Sequence, residues 1–169
     1  LASAGRSDAA VRAYRLGLGL QGEDAKGYFN LGICLLQLEK AAEALAAFQA
    51  AVRLDPDYGR AYYNMGVILG SQGRFQEAAE ALREVLRLDP EDAGAWYNLG
   101  NSYDGSGAYE QALAAWGEAL RLAPDNPDPR FNMAVVLDRL GRHAAAQAHY
   151  EALKSTHPAL AAELAQILN

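Results

Sequence analysis

The sequence predicts an all-α fold of successive helical hairpins, on three observations. Several independent residue types recur at a step of 34 residues, each repeat carries an apolar pattern of helical period, and glycine and proline concentrate at the seams between the periodic stretches. Pro56, Pro90, Pro124 and Pro158 stand one step apart, as do Asn30, Asn64, Asn98 and Asn132. Gly32, Gly66 and Gly100 follow the same step and reach Ala134, while Ala44, Ala78, Ala112 and Ala146 form a further series.

With the proline counted as position 32, full repeats span 25–58, 59–92, 93–126 and 127–158. A partial repeat over 1–24 precedes them and a capping helix in 159–169 follows, giving one array over the whole chain. Taken in order, the first expected helix covers 8–20 and contains Tyr14. The helices over 25–38 and 41–54 form the first full hairpin, in which Glu39 replaces the turn glycine of the other hairpins and Ala41 replaces an aromatic.

The second hairpin covers 59–72 and 75–88, with Asp57 expected as an N-cap and Gly73 at the turn, where φ > 0 is useful. The third covers 93–106 and 109–122, with Asp92 as cap and Gly107 at the turn. Its first helix shows the apolar set most plainly, in Trp96, Leu99, Gly100 and Tyr103, and its second in Ala112, Trp116, Ala119 and Leu120. The small residues at positions 8 and 20 allow the paired helices to approach closely.

The fourth hairpin covers 127–140 and 143–155, with Asn126 as cap, Pro127 in the first turn and Gly141 between the helices. A last helix over 159–168 places Leu164, Ile167 and Leu168 to cover it.

Composition excludes several function classes. Ala and Leu dominate and there are only 6 Pro, which favours helix over strand and disorder. Fifteen Lys and Arg against 21 Asp and Glu leave a net charge of -6 without a basic cluster, so nucleic acid is not an expected partner. No apolar run reaches the length of a membrane span, and no signal peptide is visible. The chain begins at Leu1, so a piece of a longer protein is expected, with the cytoplasm as the default setting. The single cysteine, Cys34, sits in an apolar stretch as a small core residue would. His143, His149 and His157 do not stack on one helical face and form no metal site, and no nucleophile–base set, phosphate loop or cofactor motif is present. Neither catalytic residues nor a cofactor are expected.

The repeat resembles the tetratricopeptide repeat family, which has a large residue at position 4, Leu at 7, Gly at 8, an aromatic at 11, Ala at 20, an aromatic at 24, Ala at 27 and Pro at 32. The segment AWYNLGNSYDGSGAYEQALAAWGEALRLAP follows this pattern almost throughout. Departures are Glu39 and Ala41 in the first full repeat, and Arg130 and Ala134 in the last. The resemblance implies a right-handed superhelix, or α-solenoid, whose first helices line a concave groove.

Within each first helix, positions 2, 5, 6, 9, 12 and 13 face away from the hairpin partner. These positions give a candidate peptide-binding set of Lys26, Phe29, Asn30 and Ile33; Arg60, Tyr63, Asn64 and Val67; Tyr97, Asn98, Asn101 and Asp104; and Phe131 and Asn132. A carboxamide both donates and accepts, so the asparagine at position 6 is suited to gripping peptide main chain. Consensus packing is the alternative reading. The aromatics at position 5 offer either side-chain pockets or repeat-to-repeat packing. Lys26 and Arg60 face acidic ligand residues, whereas Asp104, Asp128 and Asp138 suit basic ones. The family's clamp for chaperone tails, with Lys at 5 and Asn at 9, is not reproduced, because only Asn101 matches it.

The expected function is therefore a non-enzymatic scaffold for a protein or peptide partner. The alternatives are a recruitment domain of a larger enzyme and a self-assembling array whose copies meet through the repeat ends.

Overall fold

The computed structural model describes residues 9, 11–14, 16–17 and 24–168. The chain divides into two compact units, Leu1–Asp89 and Pro90–Asn169. The first contains α1 (Ala25–Gln37), α2 (Ala41–Leu54), α3 (Gly59–Ser71) and α4 (Phe75–Leu88). The second contains α5 (Ala93–Gly105), α6 (Tyr109–Leu122), α7 (Asp128–Arg139), α8 (His143–Thr156) and α9 (Pro158–Ile167). No strand occurs among the described residues. Residues 11–14 are helical, as the expectation for 8–20 requires, and the rest of the partial repeat lies largely outside the described residues.

Helices pair as hairpins, α1 with α2, α3 with α4, α5 with α6 and α7 with α8, while α9 packs on both α7 and α8. The turns explain why each hairpin closes. After α3, the Gly73 N–H donates to the Gly70 carbonyl and the Arg74 N–H to the Leu69 carbonyl, the double bond pattern that ends a helix through a left-handed residue. The same pair recurs after α5 and after α7, with Gly107 and Gly141 at φ values of 77° and 71°. After α1 it also forms, but Glu39 must hold φ at 59° to make it. The departure from glycine is thus absorbed as backbone strain and not as a different turn.

Caps depend on one residue of spacing. Asp92 immediately precedes α5 and accepts the Ala95 N–H at 2.8 Å, as expected. Asp57 and Asn126 stand two residues before their helices, one position too early, and neither is the N-cap residue. Asp57 instead pairs with Arg87 at 2.8 Å, and Asn126 accepts the Asp128 N–H at 3.1 Å. Asp24 caps α1 through the Gly27 N–H at 2.7 Å, a role the sequence reading did not assign.

Glycine at position 8 is required by close approach. A Cβ on Gly32 would meet the Phe48 ring at 2.5 Å, and one on Gly66 would meet Leu82 at 2.6 Å. On Gly100 it would lie 2.5 Å from Trp116 Nε1. Phe48, Leu82 and Trp116 are among the largest fully buried side chains, and each seats where the glycine leaves room. In the first unit the core joins Phe29, Leu31, Leu35, Phe48 and Leu69 with the buried Val11. The second unit has one cluster around Trp116, Val136 and Leu137 and another around Ala134, Leu153, Ala161 and Leu164.

Candidate functional site

Pairing the helices buries position 8 of each first helix, at Gly32, Gly66, Gly100 and Ala134, and position 7 fully at Leu31 and Leu99 but only partly at Met65 and Met133. The stripe on the opposite side therefore decides what the hairpins offer to a ligand. In the first unit Lys26 and Arg60 are exposed, and Val67 keeps 44% of its surface in water although it sits mid-helix. Asn30 is half-buried and lines a shallow cleft of about 220 Å³ with Asp24, Lys26 and Tyr14. Tyr63 is half-buried, while Ile33 packs against the core.

Phe29 corrects the sequence expectation. It is only 3% exposed, with its ring 5.6 Å from Phe48 and 5.1 Å from Tyr58, and the Arg60 guanidinium covers it at 4.7 Å. An aromatic at position 5 here joins neighbouring hairpins and has no face left for a ligand. Phe131 is half-buried and packs on the cluster that α9 closes, and Tyr97 packs on the Trp116 cluster.

The position-6 asparagines are not equivalent rungs. Asn64 donates its amide to the Arg60 carbonyl of its own helix at 2.7 Å. Asn98 is half-buried, and its main-chain carbonyl accepts from Ser102. Asn132 instead reaches across to α5, where its Nδ2 lies 3.1 Å from Asn101 Oδ1 and 3.5 Å from Tyr97 Oη. The same Asn101 oxygen accepts the indole N–H of Trp116 at 3.0 Å.

That last bond fixes both amides. An indole nitrogen only donates, so Asn101 must turn its oxygen to Trp116, and the group Asn132 offers that oxygen must be its NH₂. Asn101 Nδ2 and Asn132 Oδ1 remain without a partner among the described residues, and neither is a buried unsatisfied atom. One NH₂ group and one carbonyl oxygen are left open. The sequence reading placed Trp116 in the core, where it is 1% exposed, but missed this polar role. The available signal was a donor-only indole at position 24 in the one repeat that also has an asparagine at position 9.

The acidic side chains are partly matched internally. Asp104 faces Arg139 at 3.8 Å, and Asp138 contacts His143 Nδ1 at 2.7 Å. In both pairs the aspartate is half-buried and its partner exposed, and Asp104 Oδ1 is buried without a hydrogen-bond partner; such solvent-screened pairs contribute about 0–1 kcal/mol each. Burial pushes the Cys34 thiol up from its ordinary range, which opposes thiolate chemistry. Among the described residues, no group of three or more His, Cys, Asp or Glu is arranged to hold a metal ion, and no helix is long and apolar enough to cross a membrane.

Tetratricopeptide repeat family models match residues 23–91, 63–127 and 105–168, so together they run from 23 to 168. No curated protein matches the chain significantly. Among solved structures, MamA from residue 41 to its end, from Desulfovibrio magneticus RS-1, superposes with a TM-score of 0.85 at 25% identity, covering 91% of this chain and 87% of that one. Another MamA structure gives a TM-score of 0.86 at 23% identity, covering 91% and 84% of the respective chains. YrrB, described as a TPR protein with an unusual peptide-binding site, gives 0.77 at 21% identity, covering 94% and 91%. With hairpin turns, helix-contact glycines and family models in agreement along the chain, this protein belongs to the tetratricopeptide repeat family.

Proposed function

We propose that the chain is a non-enzymatic scaffold that binds an extended segment of a partner polypeptide along the outward stripes of its first helices. Its family is one of protein-interaction scaffolds, and the similar YrrB is described as carrying a peptide-binding site. The observation that carries the reading is the open donor and acceptor left by Asn101 and Asn132, because main chain is the ligand that needs one of each. The stripes of α1 and α3, with Lys26, Arg60 and Val67, suit acidic and apolar residues. Those of α5 and α7, with Asp104, Asp128 and Asp138, suit basic ones.

Panning a randomised linear peptide library on the protein tests this, with the doubly substituted Arg60→Glu/Val67→Asp protein as counter-target. Both side chains are exposed, and an unchanged melting temperature checks that losing the Arg60 contact with Phe29 leaves the fold intact. Peptides selected on the parent are expected to bind the counter-target about tenfold or more weakly, a loss of about 1.4 kcal/mol. Equal enrichment on both proteins, or none on either, overturns the proposal.

A further inference from the structure

We infer that the cleft between the loop leading into α7 and the end of α8 binds a phosphate group that still carries a proton, as hydrogen phosphate or a phosphomonoester, on the guanidinium of Arg130. The cleft has a volume of about 250 Å³, and its polar lining is Asp125, Asn126, Arg130, Ser155, Thr156 and His157. None of these residues lies on the outward stripes of the first helices, so the site is separate from the one assigned to a peptide.

Arg130 is what sets this place apart. Position 4 is Tyr28, Tyr62 and Trp96 in the other full repeats. In the α5/α6 hairpin the Trp96 indole donates to the Pro90 carbonyl at 2.9 Å, which ties the ring to the loop before its helix. Arg130 is half-buried at the same position and makes neither a hydrogen bond nor an ion pair among the described residues. A guanidinium held so has lost part of its hydration without a replacement. Its charge reaches His149, where it adds to the effect of burial in lowering the ring's pKa.

The other polar groups of the cleft sort by hydrogen-bond role. Asn126 gives its oxygen to the Asp128 N–H at 3.1 Å, which leaves its NH₂ as a second donor. Ser155 Oγ and Thr156 Oγ1 each spend their one hydrogen on the Ala152 carbonyl, at 2.8 and 3.0 Å. Thr156 Oγ1 can therefore only accept from His157 Nδ1, 3.0 Å away, so that nitrogen carries a proton and Nε2 of the neutral ring is an acceptor. Ser155 Oγ, His157 Nε2 and the Asp125 carboxylate thus stand as acceptors beside the cation. A sulfate or carboxylate matches the guanidinium but brings no hydrogen for these lone pairs. A phosphomonoester, whose second pKa is about 6, retains some P–O–H near neutral pH. Its charged oxygens fit the guanidinium fork while its O–H meets an acceptor.

Inorganic phosphate, glycerol 3-phosphate and sulfate, each titrated at constant ionic strength and neutral pH into isotope-labelled protein, test this by NMR. Both phosphates are expected to shift the Arg130 Nε–H and the His157 ring saturably. They should also raise the His149 pKa toward its ordinary value, because a bound anion screens Arg130. Sulfate should bind about tenfold or more weakly. Arg130→Gln should weaken phosphate about tenfold or more, whereas Arg53→Gln, the same charge change at an exposed residue of α2, should bind as the parent does.

Tighter binding of inorganic phosphate than of the monoester assigns the cleft to the free ion, and the reverse assigns it to a phosphate carried on a larger ligand; both support the site. Sulfate binding as tightly as phosphate, equal losses in Arg130→Gln and Arg53→Gln, or no saturable shift overturns it. If Arg130→Gln melts too low to titrate, His157→Ala decides, since that side chain makes no cap bond to α9. Phosphate binding unchanged by His157→Ala overturns the assignment.

Discussion

The α5/α6 and α7/α8 hairpins share one backbone plan and fill the same contact differently. In the first, Gly100 leaves room for Trp116 to seat fully, and the seated indole orders Asn101. In the second, Ala134 occupies the glycine position and is itself buried, while Tyr150 remains only half-buried with Lys154 Nζ 5.9 Å from its ring centre. Val135 stands where Asn101 would, and the core moves toward α9, where Leu153, Ala161 and Leu164 close it. One methyl group at position 8 thus accompanies the difference between a hairpin whose seated indole orders a polar side chain and one closed by a capping helix.

The strongest way to break the contrast is Gly100→Ala. Alanine is the better helix former by about 0.8–1.0 kcal/mol. Its Cβ would nevertheless lie 2.5 Å from Trp116 Nε1, and the flat, enclosed ring cannot yield without shifting its helix. Overpacking of this kind costs about 1–3 kcal/mol, so it outweighs the propensity gain when the ring is held on all sides. Thermal unfolding should fall by about 2–4 °C per kcal/mol lost, and amide exchange should quicken in α5 and α6. A variant as stable as the parent would show that Trp116 has more freedom than its burial implies.

A parallel contrast separates the turn at Glu39 from those at Gly73, Gly107 and Gly141. All four share the left-handed closure, and only Glu39 carries a side chain there. Glu39→Gly should stabilise the first unit by about 1 kcal/mol, the cost of holding an L-residue in that region less the extra chain entropy of glycine. Denaturant unfolding checks it, and a destabilised variant would mean the Glu39 side chain supplies a compensating contact.

Ala134→Gly is the smaller reverse test. It removes a buried methyl and adds a helix-interior glycine, losses of about 0.8 and about 1 kcal/mol, against which Tyr150 gains room to bury its ring. A net loss within about 1 kcal/mol is expected, together with lower accessibility of Tyr150 to chemical labelling. If Tyr150 stays equally accessible, the methyl is not what keeps it out.

The period that defines the hairpins was legible in the sequence because four residue types mark it independently, and the helix bounds follow it to within a residue or two. The caps at Asp57 and Asn126 were not, because a displacement of one residue separates a cap from a loop contact and the period does not resolve it. Phe29 follows the packing reading given for position 5 and not the ligand-contact one. The helical wheel turns position 5 away from the hairpin partner, yet the Phe29 ring reaches Phe48 of that partner, and Tyr58 and Arg60 beyond the next turn come to cover it. The asparagine series was visible, yet its inequality depends on what stands opposite each amide, a tertiary fact. Of that, only the coincidence of Asn101 with Trp116 could have been read from residue types.

The last contrast concerns charge within the α7/α8 hairpin, where Arg130 replaces the aromatic of position 4 and His149 lies half-buried with its Nδ1 lacking a partner. Burial first, and then the positive charge of Arg130, lower the His149 pKa below its ordinary 6.5. The folded state therefore binds fewer protons than the unfolded chain between that lowered value and 6.5. Stability must fall as pH drops through this window, and above it the histidine adds no slope. His149→Gln removes the titration, so its melting temperature should decline less than the parent's between pH 7.5 and about 5, with the gap opening only below the ordinary histidine range. Arg130→Gln removes the second cause, which brings the folded pKa closer to 6.5 and narrows the window without closing it. If the three proteins lose stability in parallel on acidification, burial at this site does not hold His149 neutral, and the fourth hairpin owes its acid sensitivity to other groups.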